Sequence, residues 1–173
     1  VLRYAGDRGI AVYLEVKEIS FHDSLLTKHP ELWTGRNVCA SDPFWWAFLE
    51  GKLDELLDAL PDIAGVIVSP ATRETRVSIS ANECTCARCR ATTPGDWYEA
   101  LIRAMFRPLD RRGKTLAVRD FSYTRGNQGA VLVAAGRVSE RIVISLKNTP
   151  HDYYPTFPSN PRIGDVGGHR QWV

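Results

Sequence analysis

Residues 60–77 have the sequence LPDIAGVIVSPATRETRV, and this stretch decides the fold. Pro61 ends the helix that precedes it, because proline supplies no amide hydrogen for a helix interior. Residues 63–68 (IAGVIV) are too short for a helix and too continuously apolar for a half-exposed strand, which predicts a buried strand of a parallel sheet. A loop rich in charges follows at once. The local order is therefore helix, buried strand and charged loop.

The same order continues on both sides of this stretch. Residues 9–16 (GIAVYLEV) predict an earlier buried strand, and a helix is predicted to begin at Asp42-Pro43, with proline at its first position. Trp45 and Trp46 match the apolar face of that helix and are expected in the core. The further predicted elements are a helix over 96–112 that Pro108 would kink or shorten, a strand at 115–118, a weaker helix near 128–138, a strand at 142–146 and a fifth strand near Gln171.

Alternation of apolar strands with amphipathic helices requires right-handed parallel crossovers, which occur in doubly wound sheets and in (β/α)8 barrels. No G-x-G-x-x-G or G-x-x-x-x-G-K-[ST] motif follows any predicted strand, which disfavours a nucleotide-binding doubly wound sheet. We therefore predict an α/β fold, a partial (β/α)8 TIM barrel of about four βα units, because a complete barrel takes about 250 residues. Residues 1–173 would form one partial catalytic barrel domain, with a cysteine-rich loop insertion at about 78–95.

The composition indicates a soluble globular domain, with 44% hydrophobic and 24% charged residues in a chain of 173. The 22 Lys and Arg and 20 Asp and Glu residues are interspersed, so neither a nucleic acid nor a membrane is expected as a partner. The chain begins at Val1 without Met or a secretion signal, and we expect the natural N-terminus to be missing. The compartment stays open, with the cytoplasm slightly favoured.

Charged and polar residues follow each predicted strand, at the end where barrel enzymes build their active sites. Carboxylates that converge with Lys and Arg can supply a general acid, a general base and a clamp for an anionic substrate group, which is the equipment of glycoside hydrolysis. The alternative is that each is only a solvated loop residue. The residues are Glu15, Lys17 and Glu18; Arg73, Glu74 and Arg76; Arg119 and Asp120; and Lys147, Asn148, His151 and Asp152.

Three segments resemble the barrel domain of the family 67 α-glucuronidases: 60–77, 118–124 (VRDFSYT) and 142–164 (IVISLKNTPHDYYPTFPSNPRIG). The last segment is the most specific, since it follows the family's V-K-N-x-P-x-D-[FY]-x-P pattern. The residues that agree there in type and spacing are Lys147, Asn148, Pro150, Asp152 and Pro155. The similarity extends more weakly to the N-terminal part, so it covers most of the chain.

The resemblance implies roles for particular residues. Glu74 corresponds to the catalytic general acid, after a one-residue shift in the preceding loop, and Asp152 to one of two carboxylates that activate water in an inverting mechanism. Lys147 and Arg119 correspond to basic residues around the substrate's uronic carboxylate. Ser69 stands where the family has a Lys, which weakens the case for glucuronate. The family's second water-activating acid would follow directly after the last residue of the chain.

The expected substrate-binding set also contains Asp120, Asn148 and Glu15. For Glu15 a solvated position is the favoured alternative. Tyr153 could stack on a sugar ring or pack against the protein.

Three cysteines form a C-x-C-x-x-C motif, Cys84, Cys86 and Cys89, and could bind one Zn²⁺ with Cys39 or a His as the fourth ligand. The competing interpretation is reduced or partly disulfide-bonded thiols. The motif is foreign to the family 67 pattern, which suggests a loop insertion. Because four protein ligands would close such a site, the metal would stabilise the loop instead of activating water.

The sequence thus predicts a glycosidase that uses acid/base catalysis and requires no cofactor. The resemblance implies α-glucuronidase-like hydrolysis of terminal uronic acid or related sugars from oligosaccharides, with inversion. The alternative is a saccharide-binding barrel domain without catalysis, with a structural zinc loop. The expected partner is an oligosaccharide, and the complete protein could form a homodimer. The chain alone is expected to be poorly stable and inactive, since a partial barrel leaves two strand edges unpaired.

Overall fold

A computed structural model describes residues 1–33, 38–70, 72, 74–75, 77–79, 81–120, 125–148 and 159–173. Along the described chain, one or more helices separate each of the first four strands from the next. In order they are α1 Leu2–Gly6, β1 Tyr13–Lys17, α2 Ser24–Lys28, a 3-10 helix at Pro30–Leu32, α3 Phe44–Ala59, β2 Gly65–Ser69, α4 Ala87–Ala91, α5 Pro94–Arg111, β3 Thr115–Arg119, α6 Arg125–Val138, β4 Val143–Ser145 and β5 Gln171–Trp172.

The strands form one parallel sheet in the order β1-β2-β3-β4-β5. A doubly wound sheet reverses its strand order at a switch point, whereas a (β/α) barrel adds each strand beside the previous one. The sequential order confirms the predicted α/β fold with the architecture of a partial (β/α) barrel.

The sheet is strongly curved, as closure into a barrel requires. Tyr13 in β1 and Trp172 in β5 belong to opposite edge strands, yet their rings meet edge to face with centroids 5.0 Å apart. The concave face is therefore narrow enough for side chains of the first and fifth strands to touch.

The long helices pack side by side, α3 against α5 and α5 against α6. In α3 the buried residues recur every four positions, at Trp45, Leu49, Leu53 and Leu57, because that spacing keeps them on one helix face. Trp45 is fully buried, which confirms its predicted place in the core, and Trp46 is partly buried against the same core.

Some predicted boundaries were wrong. β1 begins at Tyr13 and not at residue 9, because the Ile10 amide donates to the Ala5 carbonyl and continues the turn after α1. α5 begins two residues early, since Thr93 and Asp96 form a capping box. Pro108 lies buried within the last turns of α5 and does not shorten it.

Close packing of β2 against β3 depends on Gly65. A Cβ atom at this position would overlap the Thr115 carbonyl oxygen of the neighbouring strand. A strand glycine of this kind permits the two backbones to approach closely. Gly65 is paired with Thr115 in the register of β2 and β3.

Within the described residues, no helix is both long and apolar enough to cross a membrane.

Candidate functional site

Four charged side chains meet at the C-terminal ends of β1, β2 and β3, and we call them the strand-end cluster: Glu15, Lys17, Glu74 and Arg119. Glu15 and Lys17 are two residues apart in β1, so both side chains leave the same face of the sheet. The Lys17 Nζ lies 3.3 Å from Glu15 Oε1 and 3.3 Å from Glu74 Oε2. Arg119 Nη1, from β3, lies 3.1 Å from Glu15 Oε2.

Glu15 is the fixed centre of this cluster. Both of its carboxylate oxygens are engaged, and the Ser69 hydroxyl adds a hydrogen bond of 2.8 Å to Oε1. Partial burial acts to raise the pKa of Glu15, but the hydrogen bonds from Ser69 and Lys17 and the charge of Arg119 outweigh it and hold the pKa below its ordinary value. Glu15 therefore remains an anion that orients two cations.

Glu74 stands at the open side of the cluster, with 49% of its side chain exposed. The Lys17 ammonium contacts one oxygen of Glu15 and one of Glu74, each at 3.3 Å. Those two carboxylate oxygens are therefore at most 6.6 Å apart. The shared contact therefore brings the two carboxylates together at one site.

The loop that carries Glu74 is held by a buried acid, Glu18, which is only 2% exposed. Glu18 Oε2 accepts hydrogen bonds from the Ile79 amide at 3.2 Å and from the Thr75 hydroxyl at 3.4 Å. An antiparallel bridge between Ile19 and Val77 lies beside it. Sequence reasoning counted Glu18 only among the strand-end charges and missed this anchoring role. The one local signal, the apolar residue that follows it, does not reveal which groups it binds.

Asp120 is engaged with α6. Gln128 Nε2 donates to its Oδ2 at 2.5 Å, and its own amide donates to the Ser145 carbonyl at 2.8 Å. Asp120 and Gln128 line a small cavity together with Arg162. This places the predicted substrate ligand Asp120 at the junction of β3, β4 and α6.

Lys147 and Asn148 follow β4, and Asn160 ties both to the returning chain. Asn160 Nδ2 donates to the Lys147 carbonyl at 3.1 Å, and the Asn160 amide donates to the Asn148 carbonyl at 2.6 Å. Asp152 and Tyr153, predicted as catalytic and substrate-binding residues, lie outside the described residues. The described contacts bring Glu15, Glu74 and Arg119 of the predicted set together. Lys17, predicted only as one of the strand-end charges, and Ser69, predicted without a role here, complete the cluster.

A second constellation is made of the four cysteines, which we call the thiol cluster: Cys39, Cys84, Cys86 and Cys89. Their sulfur atoms all lie within 4.8 Å of one another. Cys39 Sγ is 3.6 Å from Cys86 Sγ and 3.5 Å from Cys89 Sγ, and all four are free cysteines. Cys39 and Cys89 are buried, whereas Cys84 and Cys86 are partly exposed.

Local structure differentiates these thiols. Cys86 is the N-cap of α4, and the Cys89 amide that donates to its sulfur lowers the pKa of Cys86 to about 6. Burial raises the pKa of Cys39 far above its ordinary value. The Cys39 carbonyl accepts a hydrogen bond of 2.9 Å from the Trp45 indole, which fixes its backbone against α3.

No protein-family model matches the chain, and no curated protein matches it significantly. A solved structure to which it is similar is a family 20 glycoside hydrolase, the exo-β-N-acetylglucosaminidase from Vibrio harveyi in complex with N-acetylglucosamine. The two share 14% identity with a TM-score of 0.46 over 99% of this chain and 31% of that chain. The chain thus spans about a third of that protein, and at this level of similarity neither substrate nor catalytic residues transfer to it.

Proposed function

We propose that this chain forms part of the catalytic barrel of a glycoside hydrolase. The observation that carries the proposal is the Lys17 ammonium between two carboxylates, Glu15 and Glu74, on the strand-end face of a parallel, barrel-like sheet. In this arrangement Glu15 holds the cations, and Glu74 supplies a carboxyl at the strand ends, where acid/base cleavage of a glycosidic bond needs a proton donor. The finer proposal is an α-glucuronidase-like activity on oligosaccharides that end in a uronic acid.

Glu74 is the proposed proton donor to the leaving oxygen, because it is the more exposed carboxylate of the pair. The Lys17 ammonium lies 3.3 Å from Glu74 Oε2, so it must move before the leaving oxygen can reach that carboxyl. A substrate carboxylate on this face would attract Lys17 and open the Glu74 carboxyl to the leaving oxygen. This exchange gives a physical reason for an acidic sugar to be the better substrate.

Arg119 is the second proposed contact for the sugar's anionic group, and Glu15 positions both cations without leaving its own hydrogen bonds. Lys147, Asn148 and Asp120 are proposed to bind other groups of the substrate. Asp152 is proposed to activate water, with inversion of the anomeric centre, and Tyr153 to contact a sugar ring. Proton transfer here uses side chains alone, and we propose no cofactor for it.

The proposal is tested by hydrolysis of a panel of uronic-acid-capped and neutral oligosaccharides by the natural gene product, with the released anomer followed by NMR. Release of a uronic acid with inverted configuration is the expected result. Release of a neutral sugar would support a glycosidase but overturn the uronic acid assignment. Binding without turnover would favour the alternative, a saccharide-binding barrel domain.

Two glutamate variants separate catalysis from folding. Glu74→Gln should lower kcat by about 10²–10⁴-fold with an unchanged melting temperature, because it removes the transferable proton. Glu140→Gln is the matched control, since Glu140 is exposed and precedes β4, at the opposite end of the strands. Equal turnover in both variants would remove Glu74 from the mechanism.

A further inference from the structure

The thiol cluster lies between two loops, and the proposed hydrolytic chemistry does not use its four sulfur atoms. Cys39 belongs to the connection from β1 to α3, and the other three cysteines belong to the connection from β2 to α5. Both connections leave the C-terminal ends of parallel strands, the same edge that carries the strand-end cluster. The fold therefore brings Cys39 together with cysteines that lie 47 and 50 residues further along the chain.

The spacing of the sulfurs suits a tetrahedral metal. Zinc bound by four thiolates has Zn–S distances of about 2.3 Å, which places neighbouring sulfurs about 3.8 Å apart. Cys39 Sγ lies 3.6 Å from Cys86 Sγ and 3.5 Å from Cys89 Sγ, and all four sulfurs lie within 4.8 Å of one another. These distances lie on both sides of the expected value. A disulfide needs sulfurs at about 2.05 Å, far closer than these.

We propose that Cys39, Cys84, Cys86 and Cys89 bind one Zn²⁺ as a closed structural site that clamps the β1–α3 connection to the β2–α5 connection. An all-thiolate tetrahedron selects zinc or iron among biological metals, and four protein ligands leave no position for a substrate. Binding releases the remaining thiol protons and leaves a centre with two excess negative charges.

The surroundings support such a centre. The Cys89 amide donates to the Cys86 sulfur at 3.4 Å, and amide donors of this kind stabilise thiolate ligands. Arg88 lines a surface depression with Cys39 and Cys86, and the acids Glu31 and Asp42 line it too. The Arg88 guanidinium pairs with Asp42 there, at 2.8 Å. The Trp45 indole fixes the backbone of Cys39.

The proposed zinc site would order the loop that carries Glu74. That loop runs from β2 to α4, and Glu18 fixes its middle through Thr75 and Ile79. The zinc site would fix its far end against the base of α3. The clamp is a structural role and does not depend on the proposed hydrolysis.

Elemental analysis of the protein, purified without chelator or affinity metal, tests the site directly. We expect about one zinc per chain, with loss of zinc in Cys84→Ser and Cys86→Ser. Thr85→Ala is the matched control, since Thr85 is exposed between two ligands, and it should keep its metal. Stoichiometric iron would overturn the identity of the metal. Metal-free protein that stays so after zinc is added, with its four thiols titratable, would overturn the site.

Cobalt substitution keeps the test decisive if the serine variants fail to fold. Wild-type protein with Co²⁺ should show the visible absorption of a tetrahedral thiolate site, and added Zn²⁺ should abolish it. Octahedral cobalt spectra would contradict the proposal. None of these measurements requires sugar hydrolysis, so zinc and glycosidase proposals can fail separately.

Discussion

Glu15 shows how a single strand residue acquires its role from neighbours that are distant in sequence. Its carboxylate accepts a hydrogen bond from Ser69 in β2 and forms ion pairs with Arg119 in β3 and Lys17 in its own strand. Isolated surface ion pairs contribute only about 0–1 kcal/mol, but this carboxylate is about one third exposed and joins three strands. Its effect lies in the orientation of Lys17 and Arg119 more than in stability.

The lowered pKa of Glu15 predicts a pH-dependent contribution to stability. A carboxyl whose pKa is depressed on folding stabilises the native state above its ordinary value of 4.5, and that contribution is lost as the pH falls through the folded-state value. The difference in unfolding free energy between wild type and Glu15→Gln should therefore be largest at neutral pH and shrink as the pH falls below 4.5 towards the lowered folded-state pKa. Urea unfolding at a series of pH values measures the difference.

Ser69→Ala is the companion variant, because it keeps the Glu15 charge and removes only the hydroxyl donor. It should reduce the same pH-dependent contribution without abolishing it. A wild-type minus Glu15→Gln difference that is constant from neutral to acidic pH would contradict the prediction.

Alanine substitutions at Gly65 and Gly51, each within one element, should change the stability in opposite directions. Gly65→Ala should destabilise by about 1–3 kcal/mol or more, since the new methyl group overlaps the Thr115 carbonyl in β3 and strands β2 and β3 must separate. Gly51→Ala should stabilise by about 0.5–1 kcal/mol, because Gly51 is an exposed position of α3 with open space around it and alanine is the better helix former.

Thermal unfolding of the two alanine variants checks both signs at once. For a chain of this size each kcal/mol moves the melting temperature by about 2–4 °C. An unchanged melting temperature for Gly65→Ala would mean that the two strands can move apart at no cost, contrary to the close register of Gly65 with Thr115.

The interface between α3 and α5 is an element-scale feature that sequence patterns did not predict. Both helices were expected from their apolar periodicity, and both exist. A row of ion pairs also joins their exposed faces: Arg107 with Glu50, Arg111 with Asp54, and Arg112 with Asp54 and Asp58. Periodicity identifies which face of a helix is buried, but the partner of each surface charge depends on how two helices cross.

For the whole molecule, the open edge of β1 is the feature with the clearest consequence. A cleft of about 690 Å³ lies between β1 and α3, with the strand-end residues Glu15 and Lys17 at one side. Its apolar lining includes Val16, Leu49 and Leu53. In a closed barrel another βα unit would cover such a surface.

Residues 1–173 expressed alone should therefore bind a hydrophobic dye in the folded state and associate as concentration rises. Dye fluorescence and light scattering against concentration provide the measurement. A variant with Val16→Thr and Leu56→Gln should bind less dye, since both positions line the cleft. Weak dye binding together with a stable monomer would show that the edge is already protected.

The sequence by itself determined the alternation of strands and helices, the parallel direction of the strands and the buried face of α3. These follow from local periodicity, proline and chain direction, which act over a few residues. The sequential strand order was favoured by the lack of nucleotide-binding motifs, and the structure confirmed it. It also determined which residue types stand at the strand ends. The convergence of Glu15, Glu74 and Arg119, the bridging position of Lys17 and the anchoring by Glu18 were decided only by the tertiary structure, as was the meeting of Cys39 with the C-x-C-x-x-C motif. Those contacts join segments tens of residues apart, and their geometry depends on sheet curvature and loop packing that local patterns do not encode.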